Sequence, residues 1–103
     1  MAIQAADFDA TLSAAAGDDP VLLAELRAGF VESLTHQVDL LHRARCDGNW
    51  EMAALRLRGL GASFHSPDLV DLSVLALDSA PGDPVVLRRF RQLMKDFGVG
   101  RAD

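Results

Sequence analysis

Three histidines, His36, His42 and His65, and a single cysteine, Cys46, are the imidazole and thiol side chains of this 103-residue chain that could ligate a metal or accept a group. His42 and Cys46 stand four residues apart and would share a helical face as a pair of ligands. A stable zinc site usually takes four ligands with hydrogen-bonded groups holding them, and no other pair completes the set. No metal and no cofactor are expected. One cysteine excludes an internal disulfide framework and a multi-cysteine zinc site together, and it fits a reducing compartment. No phosphate-cradling glycine loop, paired-carboxylate motif or nucleophile elbow occurs, so the residues do not read as an enzyme. Arg88, Arg91 and Lys95 form a basic stripe at helical spacing. With a net charge of -5, the stripe reads as a solvated face complementing the negative end of a helix rather than as a nucleic-acid site.

The elements that must position any site are marked by their starts. Asp19-Pro20, Ser66-Pro67 and Asp83-Pro84 each place a capping side chain before a proline at the first helical position. The cap accepts from free first-turn N–H groups, and proline lacks the N–H that would go unused there. Gly48-Asn49-Trp50 suggests a fourth start, with Gly48 ending the preceding helix and Asn49 as N-cap; Gly98 closes the last helix.

Between Pro20 and about Asp47, Leu22, Leu26, Phe30, Leu34, Val38 and Leu41 recur every three or four residues. This predicts one amphipathic helix about 40 Å long. Leu69, Leu72 and Ala76 predict a shorter helix from Ser66 to about Ser79. Leu87, Phe90, Leu93, Met94 and Phe97 stripe another from Asp83 to about Phe97, and Phe8 and Leu12 suggest a short leading helix after Asp7. No alternating strand pattern or internal repeat is present.

Short connections, Asp47 to Asn49, His65 to Ser66 and Ala80 to Gly82, force such helices to run antiparallel to bury their stripes. The expected fold is all-α, an antiparallel up-and-down four-helix bundle with a short additional N-terminal helix, in a single domain over 1–103. Half of the residues are hydrophobic and 24% are charged, a globular balance that supports a real core. Charged residues interrupt every apolar run well before the roughly 18 residues of a membrane span. The start Met1-Ala2-Ile3-Gln4 lacks a basic stretch followed by an apolar one, so no secretory signal is read and a cytoplasmic location is expected.

At about 100° per residue, Trp50, Ala53, Leu57, Leu60 and Phe64 gather on one side of the helix that follows Asn49. Leu55 falls about 160° away from Leu57, among Glu51, Met52, Gly59 and Ala62 and flanked by Arg58. The outer face is thus apolar in its middle. Mid-helix glycine is about 1 kcal/mol worse than alanine, and Gly59 and Ala62 keep the surface low enough for another backbone to approach. Glu51, Met52, Leu55, Arg58, Gly59 and Ala62 are the candidate partner-docking residues. The bland alternative has Leu55 packed under the N-terminal helix.

Gly48-Asn49-Trp50, then Leu55-Arg56-Leu57-Arg58-Gly59, then Ser66 and Leu69, resemble the histidine-containing phosphotransfer (HPt) domains of bacterial phosphorelays. Those domains carry Gly-Asp-Trp, His-x-Leu-Lys-Gly and Gly-Ala-x-x-Leu in the same order, and the resemblance runs from about Pro20 to Phe97. It implies a mid-helix histidine that takes a phosphoryl group from a receiver-domain aspartate. It also implies a basic residue three positions on, at Arg58, and a glycine at Gly59 that makes room for the receiver. The acceptor position is Leu55.

A leucine side chain has no lone pair with which to attack phosphorus, so the chemistry the family performs should be absent. Arginine at Arg58 keeps the charge of lysine but not its hydrogen-bond geometry, and His65 stands where the family often has glycine. His36 is expected to be exposed, but Glu32 and Asp39 beside it would oppose a phosphoryl dianion. His65 lies about 15 Å along the axis from Leu55 and cannot take its place.

The leading expectation is a non-catalytic module that binds a response-regulator receiver domain or a histidine kinase, without nucleic acid or membrane. Two alternatives stand beside it. One is an active phosphotransfer protein, through another histidine or as a His-to-Leu substituted form of one. The other is a structural homodimer through the Leu55 face, which leaves the chain a monomer or a weak homodimer.

Overall fold

At Asp19, Ser66 and Asp83 the backbone turns helical where the capping residues require it. In the computed structural model, which describes residues 10–98, Asp19 Oδ1 accepts from the N–H of Val21 at 2.9 Å and of Leu22 at 3.2 Å. Asp83 Oδ1 accepts from Val85 at 2.9 Å and Val86 at 3.3 Å, and Ser66 Oγ from Leu69 at 3.4 Å. These caps open α2 (Pro20–Arg43), α4 (Pro67–Leu77) and α5 (Pro84–Asp96). A leading helix, α1, covers 10–16 of the described residues, and α3 is Asp47–Ser63. The chain is all-helical, with no strand among the described residues. Phe8 and the start expected after Asp7 lie outside them.

The boundary between α2 and α3 differs from the sequence expectation. Helix α2 stops at Arg43, four residues before Asp47, because Ala44 turns extended (φ -64°, ψ 132°) and buries its methyl group in the core. Cys46, at φ -133° and ψ 161°, is the N-cap of α3 and makes no side-chain cap bond. Gly48 and Asn49 therefore sit inside the first turn of α3 and are neither a helix stop nor a cap. Asp47 supplies the first-turn negative charge that favours a helix N-terminus. At the other end of the chain Gly98 has φ 88° and donates to Lys95 O at 2.9 Å, closing α5 as expected.

All five helices contribute to one apolar cluster. Helix α3 packs on both α2 and α4, α4 on α5, and α5 closes back on α2. Phe30 of α2 lies at its centre, edge-on to Phe64 at 4.9 Å and to Phe97 at 5.1 Å. Of the predicted α2 stripe, Phe30, Leu34, Val38 and Leu41 are buried and Leu26 is half-buried. Leu22 is exposed, because its neighbour Leu23 is the first-turn residue of α2 that packs against the cluster. No helix among the described residues is long and apolar enough to cross a membrane.

The tightest joint is between α3 and α4. Trp50 Nε1 donates to Ala76 O at 2.7 Å across it, inside the core. A Cβ on Gly61 would meet Val70 Cγ2 and the Val70 backbone nitrogen at 3.0 Å and Leu69 Cβ at 3.1 Å, so glycine is what lets the helices approach. Ser73, fully buried, returns its hydroxyl to Leu69 O at 2.6 Å and leaves no orphan in the joint. Gly61→Ala should therefore destabilise the fold by about 1–3 kcal/mol through overpacking. A lowered urea midpoint with an unchanged slope is the expected readout.

Candidate functional site

Helix α3 divides its residues sharply between core and solvent. Trp50, Ala53, Ala54, Leu57 and Gly61 are buried, while Leu60 and Phe64 of the expected core side are half-buried. On the opposite side Glu51, Met52, Leu55, Arg58, Gly59 and Ala62 are all exposed, so the six candidate docking residues share one open face. Leu55 exposes 43% and Met52 51% of their surfaces. Leu55 is thus not packed under α1.

Gly59 differs from Gly61 in what surrounds it. A Cβ built on Gly59 would meet nothing within 4 Å, and its φ lies outside the left-handed region. Neither packing nor backbone conformation within the protein calls for glycine there. The surface beside Leu55 is flat because of it, and Ala62 adds only a methyl group.

Two shallow depressions flank Met52. One, of about 310 Å³, is lined by Gly48, Glu51, Met52, Leu55 and Arg56. The other, of about 340 Å³, lies where α2 turns into α3 and is lined by Leu40, Arg43, Ala44, Asn49, Ala53 and again Met52 and Arg56. Arg56 was not expected at the site; it borders both hollows because the end of α2 comes alongside, a proximity that helical spacing within α3 does not encode. With Arg58 one turn from Leu55, the apolar centre has guanidinium groups on its rim, and Glu51 and Asp47 are the carboxylates that α3 carries.

The histidines are not gathered at this face. His36 is exposed on α2; its neighbour Asp39 is engaged with Arg43 at 2.9 Å. His42 and Cys46 are exposed at the α2–α3 corner, and no group of three or more His, Cys, Asp or Glu side chains that could hold a metal forms among the described residues.

His65 has a structural assignment of its own. Its φ of 54° is the only positive value at a non-glycine residue among those described. Ser66 N–H donates to Gly61 O at 2.8 Å and His65 N–H to Ala62 O at 3.4 Å, the paired bonds of a Schellman turn ending α3. That turn puts its residue after the cap in the left-handed region, where glycine is favoured.

No protein-family model, curated protein or solved structure matches the chain.

Replacing His65 with glycine should raise stability by about 1 kcal/mol, because a side chain in the left-handed region is unfavourable by about 1–2 kcal/mol. Thermal unfolding would measure it. Gly59→Ala should also stabilise, by up to about 1 kcal/mol, since the added methyl group meets open space.

Proposed function

We propose that this chain is an HPt-like domain without the phosphoacceptor, folded as an antiparallel up-and-down four-helix bundle. In this reading it docks on a receiver domain or a histidine kinase in the cytoplasm and performs no chemistry of its own. The observation that carries the proposal is the exposed α3 face, where Leu55 and Met52 stand beside a glycine that the fold itself does not use.

An unused mid-helix glycine lowers stability by about 1 kcal/mol, and a partner backbone seated against Gly59 would offset that. The order and spacing of the three short motifs supply the choice of partner. The left-handed backbone at His65, where that family often has glycine, supports the resemblance on which this choice rests. Leu55 then contributes apolar contact at the centre of the interface, where buried anchors matter most, and Arg58 meets acidic groups on the rim.

Isothermal titration against receiver domains and histidine-kinase domains tests the reading. Binding to at least one is expected, and Leu55→Arg or Gly59→Arg should each weaken it about tenfold to a hundredfold, the range of an interface anchor. Unchanged binding by both variants, or no binding to any receiver or kinase, would remove the proposal.

The vacancy at position 55 has its own test. With Arg58 and Gly59 in place, Leu55→His should accept a phosphoryl group from an aspartyl-phosphate receiver. The product is an acid-labile label on that histidine, while the wild-type chain stays unlabelled. A labelled wild-type chain would favour an active phosphotransfer protein instead.

A further inference from the structure

Arg88, Arg91 and Lys95 are all exposed on α5, and among the described residues no ion pair engages any of them. No residue three or four positions from any of the three is a carboxylate. Arg88 with Arg91, and Arg91 with Lys95, are instead like-charge pairs at those spacings, which destabilise a helix. The negative helix end accounts for Lys95, which stands in the last turn of α5. It does not account for Arg88 and Arg91, which precede that turn, so the sequence reading of the stripe covers only one of its members. Arg89 and Asp96 belong to the other side of α5, where both border α4.

Beyond the end of the stripe, α2 and α5 leave a hollow of about 410 Å³ lined by Ala24, Arg27, Ala28, Val31, Phe97 and Gly98. Gly98 is three residues on from Lys95, so the hollow continues the line of the stripe. Its lining is apolar apart from Arg27 and holds no carboxylate.

We infer that the stripe and this hollow together bind an acidic helical segment of a partner protein. Its carboxylates would meet Arg88, Arg91 and Lys95, and one bulky apolar side chain would enter the hollow. Arg88 and Lys95 are about 10 Å apart along the axis, the separation of two carboxylates seven residues apart on a second helix laid alongside. Counter-charges so placed remove the like-charge repulsion that the free helix carries. A long polyanion or an anionic membrane fits less well, because it would also face the rest of a chain whose net charge is -5 and would leave the hollow unfilled. The surface is built from α5 and α2 and the docking face from α3, so the inference goes beyond the proposed function and does not rest on it.

Fluorescence anisotropy of the full chain with a labelled helical peptide tests the inference. The peptide carries glutamates three and four residues apart and one phenylalanine a turn beyond them. Binding that weakens with added salt is expected. Arg91→Glu, Lys95→Glu and, in the hollow, Ala28→Glu should each raise the dissociation constant about tenfold. Arg89→Glu makes the same change of charge on the other side of α5 and should leave it within about twofold. Circular dichroism checks that each variant is folded. A wild-type chain that does not bind the peptide would overturn the proposal, as would equal losses with Arg89→Glu and Arg91→Glu. Tighter binding of a DNA duplex or of phosphatidylserine vesicles than of the peptide would overturn it in favour of a phosphate-bearing ligand. Light scattering that finds a wild-type dimer abolished by Arg91→Glu would assign the surface to a second copy and overturn it equally.

Discussion

The contact on which the other features rest is the close approach of α3 to α4 at Gly61. With no Cβ there, the Val70 backbone comes in so close that a side chain would press on it at 3.0 Å and make the neighbours give way, and Leu69 lies alongside. That proximity brings Trp50 within hydrogen-bonding distance of Ala76 O and seats the apolar side of α3 in the core. Once that side is committed, the geometry of a helix leaves Leu55 and Met52 no alternative but solvent. The exposed face is therefore a consequence of how tightly its opposite side is held.

Much of this was legible in the sequence where the governing physics is local. The three cap-proline pairs named their helix starts because an N-cap interacts only with the next three residues. The outward position of Leu55 followed from angular arithmetic, which holds for any straight helix. The α2–α3 corner was misplaced because glycine and asparagine suggest a boundary locally, while burial of Ala44 decides it through tertiary contacts. Ala54 and Gly61 were absent from the expected core for a related reason. Hydrophobic patterning finds large side chains, and these two matter by being small. Leu22 erred in the other direction, since spacing of three or four does not choose between the adjacent Leu22 and Leu23, and it is Leu23 that packs on the core.

The two glycines of α3 carry a distinction that composition hides. Both sit in a helix that would be intrinsically more stable with alanine, yet Gly61 is enclosed by Val70 and Leu69 while Gly59 faces nothing. Read together, they separate a constraint imposed by folding from one that folding does not explain. The same contrast holds for His65, whose unusual backbone is set by the turn that ends α3 and not by any use of its imidazole.

Trp50 is the only tryptophan in the chain, and the chain has no tyrosine. Its indole is 2% exposed, with its nitrogen bonded to α4, on the side of α3 away from Leu55. Its emission reports the environment inside the α3–α4 joint, where the protein's own atoms and not water surround the ring. Intrinsic fluorescence should therefore follow unfolding of this protein closely and remain nearly blind to a ligand that settles on Leu55 without disturbing the core.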